Sequence, residues 1–200
     1  MALRGREGQP VRFLKYLVYS VLALAAVLLA VGAFLPTSAH VERSIRTTAS
    51  PGTVYGIVDG FRRFDEWSPW AGLDPKTKYT YSGPESGVGA RMEWSSDKPE
   101  VGSGSQEIIA VEPGRSVTMR LDFSGQSAAT STMVIEPESS GSLIRWSFDT
   151  SFSDNFLMRY LGLMFDGMIG ADYEKGLAKL KAVAEATPAG QVDPGLPGSQ

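Results

Sequence analysis

Three hydropathy regimes follow one another along the chain. From Leu17 to Leu35 the sequence LVYSVLALAAVLLAVGAFL is apolar almost throughout, and no acidic or basic residue lies between Lys15 and Glu42. That run meets the roughly 20 residues a helix needs to cross a hydrocarbon core, and it predicts a transmembrane helix over 16–36. Tyr16 and Tyr19 suit an interfacial aromatic belt at one end, and Pro36 ends the helix at the other. Thr37-Ser38-Ala39 is also an acceptable cleavage site before His40, so a cleaved signal peptide is the alternative. The run is longer than the roughly 7 to 15 apolar residues of a secretory signal, which favours a retained anchor.

The pattern then switches to period two. Val41 and Ile45 alternate with Glu42, Ser44 and Arg46, which predicts a first strand. Ser50 is a good N-cap and Pro51 suits a first helical turn, so Val54, Ile57 and Val58 form the apolar stripe of a short helix that ends at Asp59-Gly60. A second short turn of helix carries Phe61, Phe64, Trp67 and Trp70 at three-residue spacing before Pro69 and the Asp74-Pro75 turn stop it. Six strand-like runs follow: Lys78–Ser82, Ala90–Ser95, Gly104–Val111, Val117–Phe123, Ala129–Glu136 and Leu143–Thr150. The connections, Pro137 to Gly141 among them, are too short for crossover helices, so the sheet is antiparallel. Alternation puts Met92 and Trp94, then Val117, Met119, Leu121 and Phe123, then Met133 and Ile135, then Ile144, Trp146 and Phe148 on one apolar face.

The last periodic segment supplies the cover. Leu161, Phe165, Ile169, Tyr173, Leu177, Leu180 and Ala184 keep helical spacing over Asn155 to about Ala186, with Ser153 or Asp154 as cap and Lys179 on the outer face. Residues 187–200, TPAGQVDPGLPGSQ, are rich in proline and glycine and read as a disordered tail.

Composition narrows the chemistry. The chain has no cysteine and a single histidine, His40, which excludes disulfides, thiol nucleophiles and multi-histidine metal sites and leaves His40 as a juxtamembrane residue without chemistry. Residues 1–15 hold Arg4, Arg6, Arg12 and Lys15 against Glu7, whereas the remainder holds 15 basic and 21 acidic residues. The basic end therefore faces the cytoplasm by the positive-inside rule, and the domain lies on the opposite side, periplasmic if the membrane is a bacterial inner membrane. The acidic surplus of the folded part argues against a nucleic-acid partner. Gly87-Val88-Gly89 and Gly102-Ser103-Gly104 each lead into a strand and open no helix, so they read as turn glycines and not as phosphate loops. Arg91 with Glu93, Arg120 with Asp122 and Arg145 with Asp149 read as solvated charge on the outer face.

Ala49-Ser50-Pro51 followed by Val54-Tyr55, Val58-Asp59, Phe64 and Trp67, then Gly87-Val88-Gly89-Ala90-Arg91, then Tyr173 with Gly176-Leu177 and Leu180-Lys181, resemble the START-like or SRPBCC superfamily of polyketide cyclase/dehydrase and lipid transport type. The resemblance covers about residues 41–185. It implies an α+β helix-grip fold: a seven-stranded antiparallel sheet curved around a long C-terminal helix, two short helices after the first strand, and a separate N-terminal transmembrane helix. The domain is then 41–186, between the anchor and the tail. The superfamily includes carriers, cyclases and chaperone cofactors, so no catalytic residue transfers by motif.

The resembled fold leaves an apolar cavity between sheet and helix, and each inward aromatic or methionine is either core or lining. The lining candidates are Trp67, Trp70, Met92, Trp94, Met119, Met133, Trp146, Phe148, Tyr160, Met164 and Met168, with Met158 adding to a methionine-rich surface suited to an apolar ligand. The reading is a membrane-anchored domain that binds a hydrophobic small molecule or lipid without cofactor or metal. An enzyme of cyclase or dehydratase type, using Tyr160, Tyr173 or a buried carboxylate, is one alternative; a ligand-free interaction domain of the cell envelope is another.

Overall fold

The computed structural model describes residues 9–123, 128–152 and 155–188, with side chains from Arg12 onward. Helix α1 (Gln9–Phe34) carries the apolar run, and Phe13, Leu17, Leu24 and Leu29 on it are exposed. Strand β1 (Ser38–Thr47) follows. Ser50 then caps α2 (Pro51–Val58) by accepting the Thr53 N–H at 3.2 Å, and Pro51 occupies the first turn, where its missing N–H costs nothing. A single turn, α3 (Phe64–Trp67), leads into β2 (Lys78–Ser82), β3 (Arg91–Ser95), β4 (Ser103–Glu112), β5 (Ser116–Asp122), β6 (Ala129–Glu138) and β7 (Gly141–Ser151).

These strands make one open antiparallel sheet in the order β1-β7-β6-β5-β4-β3-β2. A meander from β2 to β7 closes on β1, so both chain-terminal elements of the domain lie at one edge, where α5 (Phe165–Ala186) packs along β1 and against α2 and α3. The buried face is the one read from alternation: Met92, Val117, Met119, Leu121, Met133, Ile135, Ile144, Trp146 and Phe148 share one core with Val54, Ile57, Leu177 and Leu180.

Four details depart from expectation. The C-terminal helix is two helices, α4 (Phe156–Gly162) and α5, separated at Leu163–Met164, and the cap of α4 is Asn155, whose side chain accepts the Met158 N–H. On the far side of the break α4 packs on α1 while keeping contact with β1. Strand β6 continues through Pro137, which pairs with Ser142, so the hairpin turn is only Ser139-Ser140. His40 belongs to β1, and its Nδ1 lies 2.6 Å from Asp149 Oδ1, so Asp149 partners His40 across the sheet. Arg145 instead pairs with Glu136 at 3.3 Å and Glu42 at 3.6 Å. Finally, Gly102 is a turn glycine at φ +60°, but Gly104 sits inside β4. The tail from 189 onward and the candidate caps Ser153 and Asp154 lie outside the described residues.

Candidate ligand cavity

Between the sheet and the first half of α5 lies a cavity of about 670 Å³, within the usual size of small-molecule sites. Its sheet wall is Met92 and Trp94 on β3, Gln106 on β4, Leu121 on β5, Ala129 on β6 and Phe148 on β7. Phe165, Ile169 and Tyr173 on α5 face them, with Phe64 and Trp70 on the α3 side. Exposed Tyr79 and Glu100 border it on one side, and exposed Asn155 and Met168 border it on the helix side with Met158.

Behind the Tyr173 part of the wall lies a stacked pair. The Trp146 and Tyr173 rings lie 3.7 Å apart and within 10° of parallel. Their polar atoms share Ser131: the Trp146 indole N–H donates to Ser131 Oγ at 2.7 Å, and Ser131 Oγ and the Tyr173 hydroxyl are 3.2 Å apart. Burial pushes the Tyr173 phenol well above its ordinary pKa, so it stays neutral. The stack requires close approach of α5 to β7, which Gly176 permits: a Cβ there would come within 2.6 Å of the Trp146 ring. Trp94 is seated in a similar way, with its ring over the bare Cα of Gly104, its cross-strand partner, and its indole N–H donating to Val101 O at 3.2 Å.

Gln106 stands out on this wall. It is 5% exposed, and its Nε2 has no hydrogen-bond partner among the described residues. An orphaned buried amide costs free energy unless something else satisfies it. By contrast, the carboxyl that burial drives upward, Asp59, sits at the end of α2 away from the cavity, its shift opposed by the Tyr55 hydroxyl and the Gly87 N–H. Among the described residues no group of three potential metal ligands is brought together.

Of the residues singled out from the sequence, Trp70, Met92, Trp94, Phe148 and Met168 lie on the cavity wall, as does Met158. Trp67, Met119, Met133 and Trp146 are buried in the packed core and do not border the space. Trp67 instead makes edge contacts with Phe64 and Trp146, at 5.0 and 5.4 Å between ring centroids. Met164 is exposed on the outside of the α4–α5 junction. Tyr160 points the other way and donates its hydroxyl to Leu28 O of α1. Sequence reasoning missed Gln106, Phe165 and Ile169 as lining and named Tyr173 only as a candidate for proton transfer in the cavity, although Phe165, Ile169 and Tyr173 all carry the helical stripe. Periodicity marks a face as inward; it does not say whether a neighbour fills the space in front of it.

Comparison with known proteins bears on the fold. No functionally curated protein matches the chain. Norcoclaurine synthase from Thalictrum flavum, solved with dopamine and hydroxybenzaldehyde, superposes with a TM-score of 0.57 at 13% identity over 76% of this chain and 90% of that one. The di-domain ARO/CYC protein StfQ of the steffimycin biosynthetic pathway gives 0.59 at 14% identity, over 92% of this chain and 63% of that larger one. A protein of unknown function from Staphylococcus aureus gives 0.57 at 12%, over 74% and 94%. At such identities the likeness is one of fold alone. Residues 38–185 match the family model for polyketide cyclase / dehydrase and lipid transport, and the chain belongs to that family within the SRPBCC superfamily.

Proposed function

We propose that the protein is a membrane-anchored carrier that holds an apolar small molecule or lipid between its sheet and α5. The observation that carries this reading is the cavity itself: a space of about 670 Å³ walled by aromatic and aliphatic side chains, with one unsatisfied amide. Gln106 then receives a hydrogen-bond acceptor on the ligand, such as a carbonyl, carboxylate or hydroxyl oxygen, and the hydrocarbon part fills the rest. Two observations weigh against the cyclase or dehydratase alternative. The tyrosines it would use are already committed, Tyr160 to Leu28 O and Tyr173 to Ser131.

Helix α1 serves as the anchor in this reading, with Arg12–Phe34 crossing the bilayer and the domain on the side away from the basic N-terminus. Support for an uncleaved helix comes from α4: cleavage before His40 would remove the groups that Phe156, Arg159 and Tyr160 touch on α1. Native mass spectrometry of the full chain, extracted in detergent from its own host, tests the carrier. A retained hydrophobic molecule of defined mass is expected, and a chain that is empty and fails to bind an apolar fluorescent probe would reject it. A C-terminal reporter active only in the cytoplasm would reject the orientation.

A further inference from the structure

Helix α4 buries none of its residues, yet it is apolar. Leu157 is 68% exposed and Met168 61%, with Leu161, Leu163 and Met164 uncovered between them, a patch that a domain surrounded by water does not ordinarily present. What α4 touches identifies its surroundings. The Phe156 ring lies so close to Gly32 of α1 that a Cβ there would overlap it, Arg159 Nη1 donates to Gly32 O at 3.2 Å, and Tyr160 donates to Leu28 O. Gly32 and Leu28 both fall within the stretch Arg12–Phe34 that is apolar enough to cross a membrane. At 1.5 Å per residue they lie roughly 3 and 9 Å from the end of α1 at Phe34. The uncovered side chains of α4 are therefore level with the last turns of the apolar helix, and an arginine and a tyrosine with apolar stems and polar tips accompany them, as at an interface.

The same segment borders the cavity, through Asn155 and Met158 on one side of the helix break and Phe165 and Met168 on the other. We propose that α4 and the start of α5 lie in the leaflet that holds the C-terminal end of α1, and that the cavity opens onto that leaflet between Met158 and Met168. Ligand then moves between cavity and bilayer without crossing water. This rests on the reading that α1 spans the membrane, and the occupant of the apolar patch is the lipid itself.

The absence of cysteine allows a direct test on the full chain. Single variants Leu161→Cys, Val27→Cys and Ser140→Cys are labelled with an environment-sensitive fluorophore and reconstituted into vesicles of phosphatidylcholine and phosphatidylglycerol with and without a doxyl-quencher lipid. Val27 is exposed on α1, and Ser140 lies in the β6–β7 turn, at the opposite end of β7 from the anchor. The labels at Leu161 and Val27 should show blue-shifted emission and lose most of it to the quencher, while the label at Ser140 keeps water-like emission. Quenching at Val27 without quenching at Leu161 overturns this inference and leaves the anchor standing; quenching at neither overturns both. Quenching at Ser140 equal to that at Leu161 also overturns it, as does protection of Leu161 only in native membranes, which would indicate a protein partner. A Leu161→Glu/Leu163→Glu variant should take up a fluorescent lipid from vesicles about tenfold more slowly or worse, with uptake from detergent micelles unchanged. Unchanged uptake from vesicles overturns the proposed route.

Discussion

Gln106 concentrates the question of specificity in one side chain. Its amide is buried in an apolar wall with Nε2 unpartnered, so replacing it with leucine removes an unsatisfied group and adds apolar surface. Gln106→Leu should therefore leave the melting temperature equal or higher. It should weaken a long-chain alcohol or fatty acid by about 1 kcal/mol, near fivefold to tenfold, while an alkane of the same length binds as before. Displacement of an apolar fluorescent probe by the paired ligands measures this, and equal losses for both would remove Gln106 from ligand recognition. Trp146 and Tyr173 play the opposite part, since their polar atoms satisfy each other through Ser131 and the Tyr173 ring, backed by Trp146, forms part of the cavity wall.

At the scale of elements, α5 carries two kinds of glycine, and they predict opposite outcomes. Gly176 faces Trp146 and Pro69, so Gly176→Val forces α5 off β7 and should cost several kcal/mol in a thermal melt. A methyl group on Gly167 would meet nothing within 4 Å, so Gly167→Ala should stabilise by roughly 0.5–1 kcal/mol through helix propensity alone. Similar effects from both would mean that α5 does not sit on the sheet this closely. Polar groups then tie α5 to β1 at both ends. Arg43 on β1 reaches across Gly170 to Asp166 and Glu174, each at 2.9 Å, and holds the Asp166 carboxyl below its ordinary pKa. Near the other end Glu185 accepts from the Thr48 N–H at 3.0 Å and from the Thr47 and Thr48 hydroxyls, which lowers its pKa in the same direction. Both groups are thus more acidic folded than unfolded. Their stabilisation is complete above the unfolded carboxylate range near pH 4 and is lost as pH falls through the lower native values. Melting temperature should drop on acidification toward pH 3, and by less in Glu185→Gln; an identical pH profile in that variant would deny Glu185 this role.

Across the whole molecule, the fold was largely legible in the sequence and the cavity only partly. Period-two alternation located every strand and the buried face, because one side of an antiparallel sheet must be covered, and Ser50-Pro51 announced α2. The helix break was hidden because Leu161, Phe165 and Ile169 keep one stripe across it; beyond the turn at Leu163–Met164, α4 packs on α1, a partner distant in sequence. Met119 and Met133 look like Met92 in any pattern, and periodicity does not encode which of them borders open space: Met92 does, whereas Met119 and Met133 lie in the packed core. Filling the space tests that distinction. Ile169→Trp, on the wall, should reduce probe affinity far more than it changes the melting temperature, because open volume accepts an indole that a packed core resists by about 1 to 3 kcal/mol. Met164→Trp, on the outside, should change neither in detergent. A large loss of stability in Ile169→Trp without loss of binding would show the helix resting directly on the sheet.

Helix α1 ends at Phe34 and β1 begins at Ser38, where Thr37 O already accepts the Phe152 N–H at 2.9 Å. Three residues fully extended reach only about 10 Å, so with α1 spanning the membrane, as proposed, the domain is held at the bilayer with almost no leash. On the proposed reading, such a carrier does not shuttle cargo across an aqueous gap. On that reading it would move within the plane of one membrane, and whatever receives or supplies its ligand would have to come to that membrane.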